Sequence, residues 1–262
     1  MTIKTLIFDL DDTLTPDEET ADEAILKTIE TVKGRYGLEP EELRATVREI
    51  CRVFWYNSPA REYCVKIGIS SWEGLWARFE GDGDDLRILR DWAPTYRKNS
   101  WFESLKKFDI DNPDLAVKLA GDFMKNRRQM HRLYDDVQPT LGNFKGKYKL
   151  GLLTNGASAL QREKIEGAKV GGYFDKIIIS GDIDVGKPDP KIFKIMLQEL
   201  GVTADKAIMI GNSLSSDIKG AQAARIKAVW LNRSAKERDD KIVPDWEISG
   251  LGELSSILFP QI

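Results

Sequence analysis

Residues 5–14 read TLIFDLDDTL, an apolar run that stops at a carboxylate, Asp9, with two more close behind at Asp11 and Asp12. Ile3, Leu6, Ile7 and Phe8 show no apolar/polar alternation, so both faces of this segment are expected to be buried, as in a central strand of a parallel sheet. A lone strand has nothing to pair with. The next strand-like runs lie beyond residue 139: 149–153 (KLGLL), 176–180 (KIIIS), 207–210 (AIMI), 228–231 (AVWL) and the short 246–248 (WEI). Helical patterns separate them, one near 157–167 and one that starts with Asp189 as N-cap and Pro190 at the first helical position and ends at Gly201. Strand and helix alternating at this period predict an α/β fold, a Rossmann-like doubly wound parallel sheet with helices on both faces.

Residues 17–138 have a different character. Ala21, Ile25, Ile29 and Val32 recur at three- and four-residue steps across 18–36, and Pro40-Glu41-Glu42 opens a second helix carrying Leu43, Val47, Ile50 and Val53. Further helical patterns run near 71–79, 84–97 and 113–133, and strand signals are almost absent. Residues 1–16 and 139–262 are therefore expected to form the α/β core domain, with 17–138 an all-helical domain inserted into it. Trp55, Trp72, Trp76, Trp92 and Trp101 fall in the insert, where they are expected to fill a helical core; a sharper alternative has one or two of them lining a substrate pocket.

Composition narrows the function classes. The 262 residues carry 39 basic and 42 acidic side chains, a net charge of −3, without the basic excess of a nucleic-acid binder. Hydrophobic residues make up 42%, enough for a sizeable core, yet no run reaches the roughly 18 apolar residues of a membrane span. The first residues place carboxylates where a signal peptide would continue its apolar stretch. Cys51 and Cys64 make no disulfide framework and sit in helical patterns, which predicts reduced thiols in a cytoplasmic protein. With those two cysteines and one histidine, His131, a zinc site of ordinary composition is not expected.

Ligands of open α/β sheets bind at the carboxyl ends of the strands. Just past the predicted strands stand Asp9, Asp11, Asp12 and Thr13; Thr154, Asn155 and Gly156; the segment 181–187 (GDIDVGK); and Asn212, Ser213 and Asp217. Carboxylates, a hydroxyl, amides and an ammonium converging on one edge suit a phosphate beside a hard divalent cation, and oxygen ligands suit Mg2+. Asp9, at the end of a doubly buried strand, is costly there without a metal or donors, and is the candidate nucleophile. Asp11 is close enough to protonate a leaving alcohol and later deprotonate water. Asp12 and Thr13 are expected to organise the turn, with their backbone N–H groups facing the phosphoryl oxygens. Thr154 offers a hydroxyl, and Asn155 and Gly156 offer side-chain and backbone donors, to the same oxygens. Lys187, bracketed by Gly186 and Pro188, would balance charge between nucleophile and phosphate. Asp182 and Asp184 are assigned to the loop surface.

FDLDDTL at 8–14, LTNG at 153–156, GKPDP at 186–190 and GNSLSSDI at 211–218 resemble the four signature motifs of the haloacid dehalogenase-like hydrolase superfamily, in that family's order and each after a predicted strand. The resemblance covers the first 15 residues and most of the chain after 139, and the insert sits where the family places its C1-type helical cap. Gln161 and Glu163-Lys164-Ile165, with 244–254 (PDWEISGLGEL), are similar to the capped phosphatase branch that holds N-acylneuraminate-9-phosphatase and pyrimidine 5′-nucleotidase members. The resemblance implies a Mg2+-dependent phosphatase that hydrolyses a small phosphorylated metabolite through an aspartyl-phosphate intermediate. It implies a metal held by Asp9, by the backbone carbonyl of Asp11, and by Asn212 and Asp217, the last directly, through water, or only by orienting Lys187. Asn212 departs from the pattern, since most members carry an acid there and an amide oxygen brings no charge.

The cap would close over the site and choose the alcohol portion of the substrate. Alternatives on the same fold are a 2-haloacid dehalogenase, against which Asp11 counts because those enzymes generally lack the second carboxylate, and a phosphomutase, for which His131 is the only histidine on offer. A weakly active or non-catalytic ligand-binding relative, with Asn212 as the lesion, is the alternative from another class. No nucleic-acid or membrane partner is expected, and the chain reads as a monomer or homodimer.

Overall fold

Strand β1, Thr5–Phe8, is followed in the sheet by strands from the far side of the insert: β2 (Lys149–Thr154), β3 (Lys176–Ile179), β4 (Ala207–Gly211), β5 (Lys227–Leu231) and β6 (Trp246–Ile248). In this computed structural model, which describes residues 3–238 and 241–258, every pairing is parallel and the order is β3-β2-β1-β4-β5-β6. The α/β expectation holds. β1 is central, with Phe8 in register with Leu152 on one side and Ile210 on the other.

The unalternating composition of β1 has its reason in packing. Leu6 and Phe8 join one apolar cluster with Leu152 and Ile210, while Ile7 joins another with Leu153, Phe193 and Met209. Each such side chain contributes about 1.5–3 kcal/mol of transfer free energy. From β1 the chain builds outward through β2 to β3, then returns to β4 on the other side of β1. That reversal opens a crevice at the carboxyl ends of β1 and β4. The helix Pro190–Leu200 starts and stops as its residues predict: the Asp189 carboxylate accepts from Lys191 N at 2.8 Å, and Gly201 closes it in the left-handed conformation.

Residues Met1–Pro16 and Arg132–Ile262 form one compact unit and Asp17–His131 another. Residues 132–138, grouped with the insert on sequence, thus belong with the sheet, because Val137 is buried in a core cluster beside β1 and Tyr134 N donates to Leu14 O at 3.0 Å.

The second unit is helical throughout its regular elements: Asp17–Glu30, Lys33–Tyr36, Pro40–Tyr56, Arg61–Ile67, Ser71–Gly74, Asp84–Lys106 and Pro113–Arg128. Four lengths differ from expectation, the 113–133 pattern among them, which ends at Arg128. The 18–36 pattern breaks after Glu30, where the Thr31 hydroxyl donates to Thr28 O at 2.8 Å. The 71–79 pattern shortens to a single capped turn, Ser71–Gly74. Asp84–Lys106 continues past Pro94, because Leu89, Ala93, Tyr96, Trp101 and Leu105 keep one buried stripe in contact with its neighbours. That packing outweighs the roughly 3 kcal/mol a proline costs inside a helix.

Trp55, Trp76 and Trp101 are buried in this unit; Trp92 stacks on Tyr96 at 4.8 Å and is half-buried, as is Trp72. Asp17 and Arg127 form a buried ion pair at 2.6 Å, with Trp72 Nε1 donating to the same carboxylate at 2.8 Å. His131 lies with its ring 5.9 Å from that of Trp76. Cys51 and Cys64 are free thiols, both buried. Among the described residues no helix is long and apolar enough to cross a membrane.

Candidate active site

β1 delivers Asp9 into the crevice. The Asp9 N–H donates to Ile210 O at 3.0 Å, so its carboxylate emerges one residue beyond the last β1–β4 pair, 6% exposed. The turn that follows closes on Leu10 O, which accepts from Leu14 N at 2.8 Å and Thr15 N at 3.0 Å. Asp12 takes a left-handed φ of 56°, which a short polar side chain tolerates. Its N–H goes to Thr15 O at 2.7 Å and that of Thr13 to Leu10 O at 3.3 Å. Both residues organise the turn as expected, but their N–H groups are consumed by it and do not face a phosphate. Thr13 contributes its hydroxyl instead, which donates to Asp9 Oδ2 at 3.1 Å and stands 3.4 Å from Asn212 Oδ1.

Lys187 is brought in by Asn155. The Asn155 amide donates to Lys187 O at 2.9 Å and accepts from Lys187 N at 2.8 Å, a two-point bracket on the backbone just ahead of Pro190–Leu200. The side-chain donor of Asn155 is therefore turned to Lys187. The ammonium then donates to Asp9 Oδ1 at 2.5 Å and to Leu153 O at 2.9 Å, and lies 2.7 Å from Asp217 Oδ1. Asp217 sits on a π-helical turn, Leu214–Ile218, directly after β4, and its other oxygen accepts from Ser213 N at 3.0 Å. Gly211, the last residue of β4, is required by that placement, because a Cβ there would overlap the Asp217 carboxylate.

Burial by itself would lower the Lys187 pKa, but Asp217 and then Asp9 more than reverse it, and the ammonium is held charged above the ordinary lysine range. Burial pushes the Asp217 carboxyl up, with the Lys187 ammonium opposing and the Asp9 charge adding to the rise.

Thr154, at the end of β2, is buried, with its hydroxyl 3.4 Å from Gln161 Oε1. The Gly156 N–H is taken by Ser180 Oγ at 2.9 Å. Asp11 is held from another side, its Oδ2 accepting from Gln161 Nε2 and Lys164 Nζ, each at 3.0 Å. Both donors come from the helix Ser158–Gly167. Their chemistry was missed on sequence, although their three-residue spacing puts them on one helix face and was the available signal. Asp182 and Asp184 are exposed as expected, Asp182 paired with Arg162 through two 2.9 Å bonds.

Oxygens of Asp9 and Asn212 converge on the Thr13 hydroxyl. Such a donor set, carboxylate plus amide oxygen, fits a hard cation such as Mg2+. Asp217 stands on the ammonium side of this arrangement, with each of its oxygens facing a protein donor.

The strand order and the crevice beside β1 put the chain in the Rossmann-like class of α/β enzymes. The profile of the haloacid dehalogenase-like hydrolases matches residues 3–225, and the chain belongs to that family. It is 33% identical over 253 residues to a phosphoserine phosphatase of Thermus thermophilus, covering 96% of this chain and 98% of the relative. It is 28% identical to the N-acylneuraminate-9-phosphatase of Mus musculus, covering 98% and 94%. Among solved structures, the putative HAD-hydrolase YfnB of Bacillus subtilis, bound to magnesium, superposes with a TM-score of 0.68 at 23% identity, covering 98% of this chain and 99% of that one.

Proposed function

We propose that the protein is a Mg2+-dependent phosphatase of small phosphomonoesters, with Asp9 as nucleophile. The observation that carries this reading is the buried ammonium of Lys187 between Asp9 and Asp217. It sets a positive charge against Asp9 Oδ1 at the end of a strand buried on both faces, beside the position a phosphoryl group would take. Phosphatase activity in two relatives aligned over nearly the whole chain supports the same conclusion.

In the first half-reaction an Asp9 oxygen attacks phosphorus, the bond to the alcohol oxygen breaks, and Asp11 gives its proton to that oxygen. In the second, Asp11 takes a proton from water, the water oxygen attacks phosphorus, and the bond to Asp9 breaks to release phosphate. Thr154 directs its hydroxyl to Gln161 at the edge of the site, and the Asn155-Gly156 turn fixes the geometry around it. Asp9, the Asp11 carbonyl and Asn212 would hold the metal, and Asp217 serves by orienting Lys187. When bound, Mg2+ supplies charge neutralisation at the phosphoryl oxygens.

Turnover of p-nitrophenyl phosphate with and without Mg2+, alongside Asp9→Asn, tests the proposal. Mg2+-dependent hydrolysis lost in the variant is expected, and metal-independent turnover or a fully active variant would refute it. Phosphoserine, sugar phosphates, nucleoside monophosphates and flavin mononucleotide then define the alcohol.

A further inference from the structure

Two donors from one helix converge on a single oxygen of Asp11. Gln161 Nε2 and Lys164 Nζ each lie 3.0 Å from Oδ2. Neither occupies an ordinary place for its type: Lys164 is 2% exposed and Gln161 is fully buried, where lysines in particular are found only when paired. Room for Gln161 is made by Gly156, which adopts a φ of +140° and whose added Cβ would overlap the Gln161 amide. The amide is also oriented from its far end, since Oε1 faces the Thr154 hydroxyl at 3.4 Å and the nitrogen is thereby turned to Asp11.

We infer that Gln161 and Lys164 are positioning residues which hold Asp11 Oδ2, so that Oδ1 is the oxygen that exchanges the proton with the leaving group and the water. The inference rests on the acid–base role proposed for Asp11. As the phosphorus–oxygen bond breaks, the electron pair stays on the leaving oxygen and the Oδ1 proton moves to it. In the second half-reaction Oδ1 receives the proton of the attacking water while Asp9 is released from phosphorus. Oδ2 keeps the same two donors throughout. A carboxyl able to rotate would present either oxygen, and two donors on one of them remove that freedom before substrate arrives.

The test compares phenyl phosphate, whose basic phenolate needs the proton, with p-nitrophenyl phosphate, whose leaving group does not. Lys164→Met should lower kcat about 10-fold more on phenyl phosphate than on p-nitrophenyl phosphate, with KM nearly unchanged on phenyl phosphate. On p-nitrophenyl phosphate it should release a burst of nitrophenolate close to the enzyme concentration, because the aspartyl-phosphate then waits for its base. Gln161→Leu, which keeps the ion pair, should show the same pattern to a smaller degree, and it carries the test if Lys164→Met does not melt as a folded protein. Parallel losses on both substrates, an effect on KM alone, or unchanged rates would overturn the inference. Asp11→Asn separates it from the reading beneath it. If that variant hydrolyses phenyl phosphate at the parent rate, the acid–base role fails; if it is inactive while Lys164→Met is parent-like, only the positioning role fails.

Discussion

The Lys187 ammonium lies 2.5 Å from the Asp9 carboxylate across 178 positions of sequence, and 2.7 Å from Asp217 on its other side. One cation thus stabilises two buried anions, and its removal has consequences beyond catalysis. Lys187→Met should lose about 3–5 kcal/mol of folding stability, since uncompensated carboxylates remain buried, and should lose turnover as well. Asp9→Asn should lose turnover yet keep most of its stability, because Lys187 retains Asp217. Urea titrations of the two variants check this contrast, and a Lys187→Met protein as stable as its parent would contradict it.

Gly211→Ala places a methyl group where the Asp217 carboxylate now sits. The expected cost is about 1–3 kcal/mol from overpacking, together with a lower kcat as Asp217 moves off Lys187. Thermal melts and p-nitrophenyl phosphate turnover read the two effects separately.

Asn212→Asp adds a negative oxygen beside the Thr13 hydroxyl that Asp9 already engages. Without Mg2+ the like charges should lower the melting temperature below that of the parent. With Mg2+ the variant should gain more than the parent does, and its half-saturating Mg2+ concentration should fall about 10-fold, a difference of ~1.4 kcal/mol. Calorimetric titration with MgCl2 measures the shift directly; equal affinities would argue against Asn212 as a ligand.

Asp136 gives the stability a dependence on acid. Arg233 donates to it through two bonds, at 2.9 and 2.8 Å, and Leu251 N adds a third at 2.8 Å. Burial works against the ionised carboxyl, but the Arg233 and Leu251 hydrogen bonds outweigh it and hold the folded-state pKa below the ordinary value. A depressed folded pKa stabilises the native state fully above the unfolded value of about 3.9 and is lost as pH falls through the folded value. Asp136→Asn should therefore be about 1 kcal/mol less stable than the parent at pH 7, the partial exposure of the pair limiting the effect. That gap should close as the pH approaches the folded-state value, which denaturation at a series of pH values will show.

Much of the fold was legible because its signals are local. Unalternating apolar runs mark buried parallel strands, Asp189-Pro190 and Gly201 bracket a helix, and four motifs stand at strand ends. Where packing competes with local preference the reading failed. The helical pattern legible over 84–97 stops short of Lys106, to which a buried stripe carries the helix. The N–H groups of Asp12 and Thr13 were offered to a phosphate although the turn itself consumes them.

Sequence alone determined the class of the protein and the identities of the residues at the sheet's carboxyl edge, because strand propensity, capping and motif spacing are written within a few residues of one another. Tertiary structure alone decided the partners of those residues. That Lys187 bridges Asp9 and Asp217, that the Asn155 amide turns to the Lys187 backbone, and that Lys164 leaves an apparent helix surface to meet Asp11 are consequences of side chains brought together from distant segments. The strength and geometry of electrostatic contacts depend on burial and on sub-ångström separation, and neither quantity exists until the sheet has formed.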